Sequence, residues 1–170
     1  NPKNGNVNDF SKYFNEAIGE DNEILNGSPE MTWGEFEARS MVKNSKNNPS
    51  IIMWSIGNEV LEGISGSASN YTNVAQNIID WIKDEDETRH VTIGDNRTKN
   101  GDRTAEAISE VVDDNGGLVG FNYANEAQVA QQRANHPDWT LYASETSSAI
   151  HTRGYYKTKG IDYSRSEERR

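Results

Sequence analysis

Residues Ile51-Ile52-Met53-Trp54-Ser55-Ile56-Gly57 form an apolar run that ends directly on Asn58-Glu59. A run of this length is the pattern of a strand covered on both faces, the kind found in parallel sheets. A carboxylate at the C-terminal end of such a strand sits where α/β barrels carry their reactive groups. The feature thus constrains architecture and chemistry together: a parallel α/β sheet, with Glu59 as the candidate reactive group at its edge.

The rest of the chain agrees with this architecture. Thr32-Trp33-Gly34-Glu35 has a capping-box pattern that opens a helix to about Asn44, and Asn48-Pro49 stops it, because the residue before proline is pushed out of the helical region. Val74, Ala75, Ile78, Ile79 and Ile82 recur at helical spacing, giving an amphipathic helix over about 71–83. Strands are expected at 90–94, 118–123 and 140–144, separated by helices around 104–112 and 126–134. Strands alternating with amphipathic helices imply βαβ units. The domain reading is a loop-rich lead-in over 1–30, an α/β unit over 31–156 and a polar tail over 157–170.

Composition narrows the partners. The chain has 170 residues, fewer than the roughly 200 that a whole (β/α)8 barrel needs. It carries 17 basic against 27 acidic residues, a net charge of −10, and no basic stripe. Nucleic acid and anionic membranes are therefore poor partners. Cysteine is absent, which removes thiol catalysis, thiolate metal sites and disulfides. No apolar run approaches the roughly 18 residues of a membrane span. The polar, Met-free start and the uncapped Ser164–Arg170 end are expected for a piece of a longer protein.

A second carboxylate, Glu145, follows Leu141-Tyr142-Ala143-Ser144. Two carboxyl groups projecting from strand ends into one mouth are what glycosidic cleavage requires. One protonates the leaving oxygen while the other attacks the anomeric carbon or activates a water. Retaining enzymes hold the pair roughly 5–5.5 Å apart and inverting ones roughly 6.5–9.5 Å.

The stretch Asn48-Pro49-Ser50-Ile51-Ile52-Met53-Trp54-Ser55-Ile56-Gly57-Asn58-Glu59 closely resembles the acid/base signature of glycoside hydrolase family 2. Tyr142-Ala143-Ser144-Glu145-Thr146-Ser147-Ser148-Ala149 resembles that family's nucleophile segment, in a form similar to large surface β-galactosidases of Gram-positive bacteria. The resemblance spans about residues 30–156. It implies a partial (β/α)8 TIM barrel, strands four to seven, from a retaining enzyme that cleaves terminal β-galactosyl residues. By the same resemblance Glu59 is the acid/base, Asn58 contacts the sugar 2-hydroxyl, Glu145 is the nucleophile, and Tyr123 hydrogen-bonds that nucleophile. The implied partner is a β-galactoside oligosaccharide or glycan, and the implied setting is extracellular or at the cell surface.

Family members of known metal dependence use a Glu-x-His pair upstream of the acid/base; Asn8 to Met31 contains none, so neither metal nor cofactor is expected from these residues. The isolated chain is expected to be inactive, and its open sheet edges to favour self-association. Two alternatives stay open: a β-glucuronidase or β-mannosidase of the same family, and a non-catalytic carbohydrate-binding fragment. An unrelated doubly wound domain would require a glycine-rich nucleotide loop, and no G-x-G-x-x-G is present. The four tryptophans, Trp33, Trp54, Trp81 and Trp139, are expected to pack, and His90 and His136 to be structural. Asp95 is expected to cap a loop, His151 is a candidate for the cleft mouth, and the run Lys83 to Glu87 reads as a solvated helix end.

Overall fold

The computed structural model describes residues 17–19, 30–61 and 68–146. Helix α1 covers Trp33–Ser45 and strand β1 covers Met53–Asn58. They are followed by α2 (Ala68–Glu85), β2 (His90–Asp95), a short 3-10 turn (Thr98–Asn100) and α3 (Arg103–Asp114). Strand β3 (Leu118–Asn122), helix α4 (Glu126–Asn135) and strand β4 (Leu141–Glu145) complete the described chain. The strands form one sheet in the order β1-β2-β3-β4, every pair parallel. The α/β class and the element order match the sequence reading, with boundaries differing by a few residues at most.

Local chemistry explains several of these boundaries. Thr32 caps α1 by accepting the Glu35 amide at 3.2 Å. Asp102 caps α3, its Oδ1 accepting the Thr104 and Ala105 amides at 3.1 Å each. At α4 a reciprocal capping box joins Asn125 and Gln128, satisfying two amides that would otherwise lack partners. Gly101, at φ 72°, supplies the left-handed step between the 3-10 turn and α3 that a side chain would resist.

The two faces of the sheet differ. Trp54, Val91, Ile93, Val119 and Phe121 are buried on one face. Val42, Ile79, Ile82, Ile108 and Val112 of helices α1, α2 and α3 join Trp54, Val91 and Ile93 in a single apolar cluster. Alternate residues on the strands point the other way, and there Thr92, Gly94, Gly120, Asn122 and Ser144 give small or polar surface beside Leu118 and Tyr142. A Cβ on Gly120 would lie 2.5 Å from the Ile93 carbonyl oxygen and 2.9 Å from Ser144 Oγ. Glycine is thus required for close packing on this inner face.

Two expectations are corrected. The 51–57 run is not covered on both faces: Ile52, just before β1, is 72% exposed, and Ser55, on the face opposite Trp54, is exposed too, β1 having one neighbouring strand among the described residues. The Lys83 to Glu87 run is not simply solvated either. Asp86 is buried and accepts from Trp54 Nε1 at 2.9 Å, Thr88 Oγ1 at 2.6 Å and Arg89 Nη1 at 2.5 Å. Burial pushes its carboxyl upward, but the Thr88, Trp54 and Arg89 donors outweigh that and hold it well below the usual carboxylate range. Arg89 also donates to the Ile51 and Lys46 carbonyls, so one ion pair ties α2 to the start of β1 and the end of α1.

Candidate active site

Every residue singled out at a strand end lies at the C-terminal edge of the sheet. Asn58 ends β1, Asn122 ends β3 and Glu145 ends β4, while Glu59 and Tyr123 follow β1 and β3 directly. The strands step out of register there, between Ser55 and Asn58 against β2 and between Phe121 and Asn122 against β4. Regular pleating would send consecutive side chains to opposite faces.

Glu59 (φ 49°) and Tyr123 (φ 58°) both adopt the left-handed backbone conformation. For a residue with a Cβ this costs about 1–2 kcal/mol each. The neighbouring strands hold both in place. The Glu59 amide donates to the Gly94 carbonyl at 2.8 Å, and the Tyr123 amide donates to the Glu145 carbonyl at 2.7 Å.

Asn122 joins the site together. Its Nδ2 donates to Glu59 Oε1 at 2.9 Å, Asn58 Oδ1 at 3.0 Å and Glu145 Oε1 at 3.1 Å. Two N–H groups serve three oxygens, so one bond is shared. The amide's other end accepts from Ser144 Oγ at 2.6 Å. Turning the amide round would set its oxygen against three acceptors, so the contacts fix its orientation. Because both carboxylate oxygens lie near the same nitrogen, at 2.9 and 3.1 Å, they are at most about 6 Å from each other. The Tyr123 hydroxyl donates to the other oxygen of Glu145.

Glu59 is buried, whereas Asn58, Tyr123 and Glu145 are partly open. A Cβ on Gly94 would lie 2.8 Å from Asn58 Oδ1 and 3.2 Å from both Asn122 Oδ1 and Ser144 Oγ. The floor of the site is therefore glycine for steric reasons. The arrangement places two carboxyl groups, two amides and one phenol at one edge of the sheet, the equipment for acid/base and nucleophilic work at one carbon.

Sequence reasoning brought Glu59, Asn58, Tyr123 and Glu145 to this edge but missed Asn122, Ser144 and Lys99. Asn122 precedes Tyr123 at a strand end, which was an available signal; Lys99 lies in a turn after β2 and carries none. Asp95 caps that turn, accepting from the Arg97 and Thr98 amides at 2.6 and 2.7 Å. Trp54 and Trp139 are buried in the core, and Trp139 stacks on His136 with ring centroids 3.7 Å apart. His90 Nδ1 lies 2.7 Å from the Gly116 carbonyl oxygen, a contact between strand and loop. His151 and the Ser147 to Ala149 part of the second motif lie outside the described residues.

Comparison with known proteins supplies the family. Residues 5–155 match the model of the glycosyl hydrolases family 2 TIM barrel domain. The β-galactosidase BoGH2A of Bacteroides ovatus is 29% identical over 88% of this chain, which spans 18% of that protein's length. A solved β-glucuronidase 2 of Bacteroides uniformis, covalently bound to cyclophellitol-6-carboxylate aziridine, aligns with a TM-score of 0.53 at 25% identity. That alignment covers 75% of this chain and 18% of the solved one. The FMN-binding β-glucuronidase of Faecalibacterium prausnitzii L2-6 shares the fold at a TM-score of 0.55 and 21% identity, over 74% of this chain and 20% of that one. With the parallel sheet and its loaded C-terminal edge, the match over most of the chain establishes that it belongs to glycosyl hydrolase family 2, as part of that family's TIM barrel domain.

Proposed function

We propose that the protein carrying this chain is a retaining glycoside hydrolase that removes terminal β-galactosyl residues from oligosaccharides or glycans by double displacement. Glu145 attacks the anomeric carbon as Glu59 protonates the departing oxygen, leaving a glycosyl ester on Glu145. Glu59, now ionised, takes a proton from water, and the hydroxyl displaces Glu145 and frees the sugar. Asn58 hydrogen-bonds the sugar 2-hydroxyl, and the Tyr123 phenol orients Glu145 for attack.

The observation that carries this reading is the Asn122 amide shared by both carboxylates. One oxygen of each carboxylate held within about 6 Å of the other by a single amide favours the close pairing of retaining enzymes over the wider one that leaves room for a water. The aziridine held covalently by the Bacteroides uniformis relative supports the same conclusion, since ring opening by a nucleophile leaves a stable bond. That relative is a β-glucuronidase, and it favours a glucuronyl group as the second reading. The β-galactosidase relative, at the higher identity and coverage, favours galactose. Most of the walls that would select the sugar belong to the remainder of a full-length protein, so we expect the isolated chain not to turn over. We also propose that the protein acts outside the cell, on motif resemblance alone; activity confined to the cytosol on fractionation would refute this.

The decisive test is to trap the full-length protein with 2-fluoro-galactosyl fluoride and map the modified peptide by mass spectrometry. A label on Glu145 supports the mechanism, the nucleophile and the galactosyl group together. A label on another residue overturns the site. Reaction only with the glucuronyl analogue keeps the mechanism and changes the sugar.

A further inference from the structure

Lys99 belongs to the 3-10 turn after β2, yet its side chain reaches the end of β3. Its Nζ donates to the Asn122 carbonyl at 2.6 Å and to the Tyr123 carbonyl at 3.0 Å. It also stands 5.5 Å from the centre of the Tyr123 ring. The two residues it grips by their backbones are those whose side chains reach both carboxylates. One of them, Tyr123, holds a left-handed conformation that its own side chain disfavours. Two charge-assisted bonds to consecutive carbonyls are a direct means of holding that bend.

We propose that Lys99 is a positioning residue: its ammonium clamps the Asn122–Tyr123 bend and so sets where the Asn122 amide and the Tyr123 hydroxyl meet Glu59 and Glu145. This rests on the reading of the site as a glycosidase centre. The ammonium has a second effect. Burial lowers its pKa overall, and the attraction of the Glu59 and Asp95 carboxylates opposes that shift, which marks the ammonium as a neighbour of Glu59. The charged and titratable groups around this point are Glu59 after β1, Asp95 on β2, Tyr123 after β3 and Glu145 on β4. A neighbouring cation favours the ionised form of Glu59, the form that must accept a proton from water in the second step.

The test uses the full-length protein with Lys99→Met and Lys99→Arg, assayed on 4-nitrophenyl β-galactoside, or on the glucuronide if that is what the wild type cleaves. Lys99→Met is expected to lower kcat on the order of 100-fold, the scale of a small misplacement at a reacting centre, with little change in KM. The basic limb of its pH–rate profile should move to higher pH, because loss of the cation makes the Glu59 carboxyl hold its proton more strongly. Lys99→Arg keeps charge and donors and should recover at least about a tenth of wild-type kcat. If Lys99→Met is too unstable to assay, the arginine variant decides: recovery supports the clamp and loss overturns it. A methionine variant with near-wild-type kcat, or an unmoved basic limb, also overturns it. A wild type inactive on all aryl glycosides would instead overturn the proposed function, a separable failure.

Discussion

The two ends of the sheet handle charge in opposite ways. At the N-terminal end several acids have a base. Asp86 pairs with Arg89 at 2.5 Å, and Arg39 reaches Glu35 at 2.7 Å, Asp84 at 2.8 Å and Glu85 at 3.3 Å. At the C-terminal end Glu59 and Glu145 share one neutral amide, a phenol donates to Glu145, and the nearby ammonium of Lys99 places its hydrogen bonds on backbone carbonyls. Paired charges fasten helices and strands to each other. Like charges gathered around one neutral amide are a poor way to stabilise a fold and a good way to prepare a proton transfer. In α/β barrels the two ends divide in this way, stability at the bottom and chemistry at the top.

This contrast can be broken one end at a time. The largest effect is expected from Glu59→Gln in the full-length protein: hydrolysis should fall about 10²–10⁴-fold, while the melting temperature holds or rises because one of two neighbouring like charges is gone. A large drop in melting temperature would place Glu59 among the structural acids instead. Asp86→Ala should do the reverse, costing about 3 kcal/mol of stability at neutral pH with kcat per folded molecule preserved. Its sign with pH is definite. Asp86 has a depressed native pKa, so its contribution is complete above the unfolded carboxylate range, roughly pH 4, and is lost as pH falls through the native value. The gap between denaturant melts of wild type and variant should hold from pH 7 to about pH 4 and narrow below it; a gap unchanged at pH 3 would refute the assignment. The smallest effect is expected from Thr32→Ala, which removes the cap of α1. Stability should fall by about 1 kcal/mol with activity untouched.

Much of this was legible in the amino-acid order because period and punctuation are local properties. The Val74 to Ile82 spacing marks α2, Asn48-Pro49 marks the stop after α1, and the apolar run into Asn58-Glu59 marks a strand end with a carboxylate on it. What escaped was long-range. Asn122 matters because β3 lies between β2 and β4, so one amide can reach residues 63 positions back and 23 forward. Lys99 acts on carbonyls 23 and 24 residues away. Asp86 looks solvated in a run of charges until the Trp54 indole, 32 residues earlier, comes to rest on it. The unbroken apolar run also misled at β1: the strand begins only at Met53, and Ile52 before it stands in solvent although its neighbours are apolar.

The left-handed turns at Glu59 and Tyr123 have a consequence for how such a protein can change. Glycine relaxes that conformation most readily, and asparagine tolerates it better than most residues. Selection for heat resistance alone would therefore favour those replacements at positions 59 and 123, each swap relieving the backbone while deleting a side chain of the proposed machinery. On the proposed function, glutamate and tyrosine at these bends would be held for turnover against a steady pull toward a more stable and idle protein.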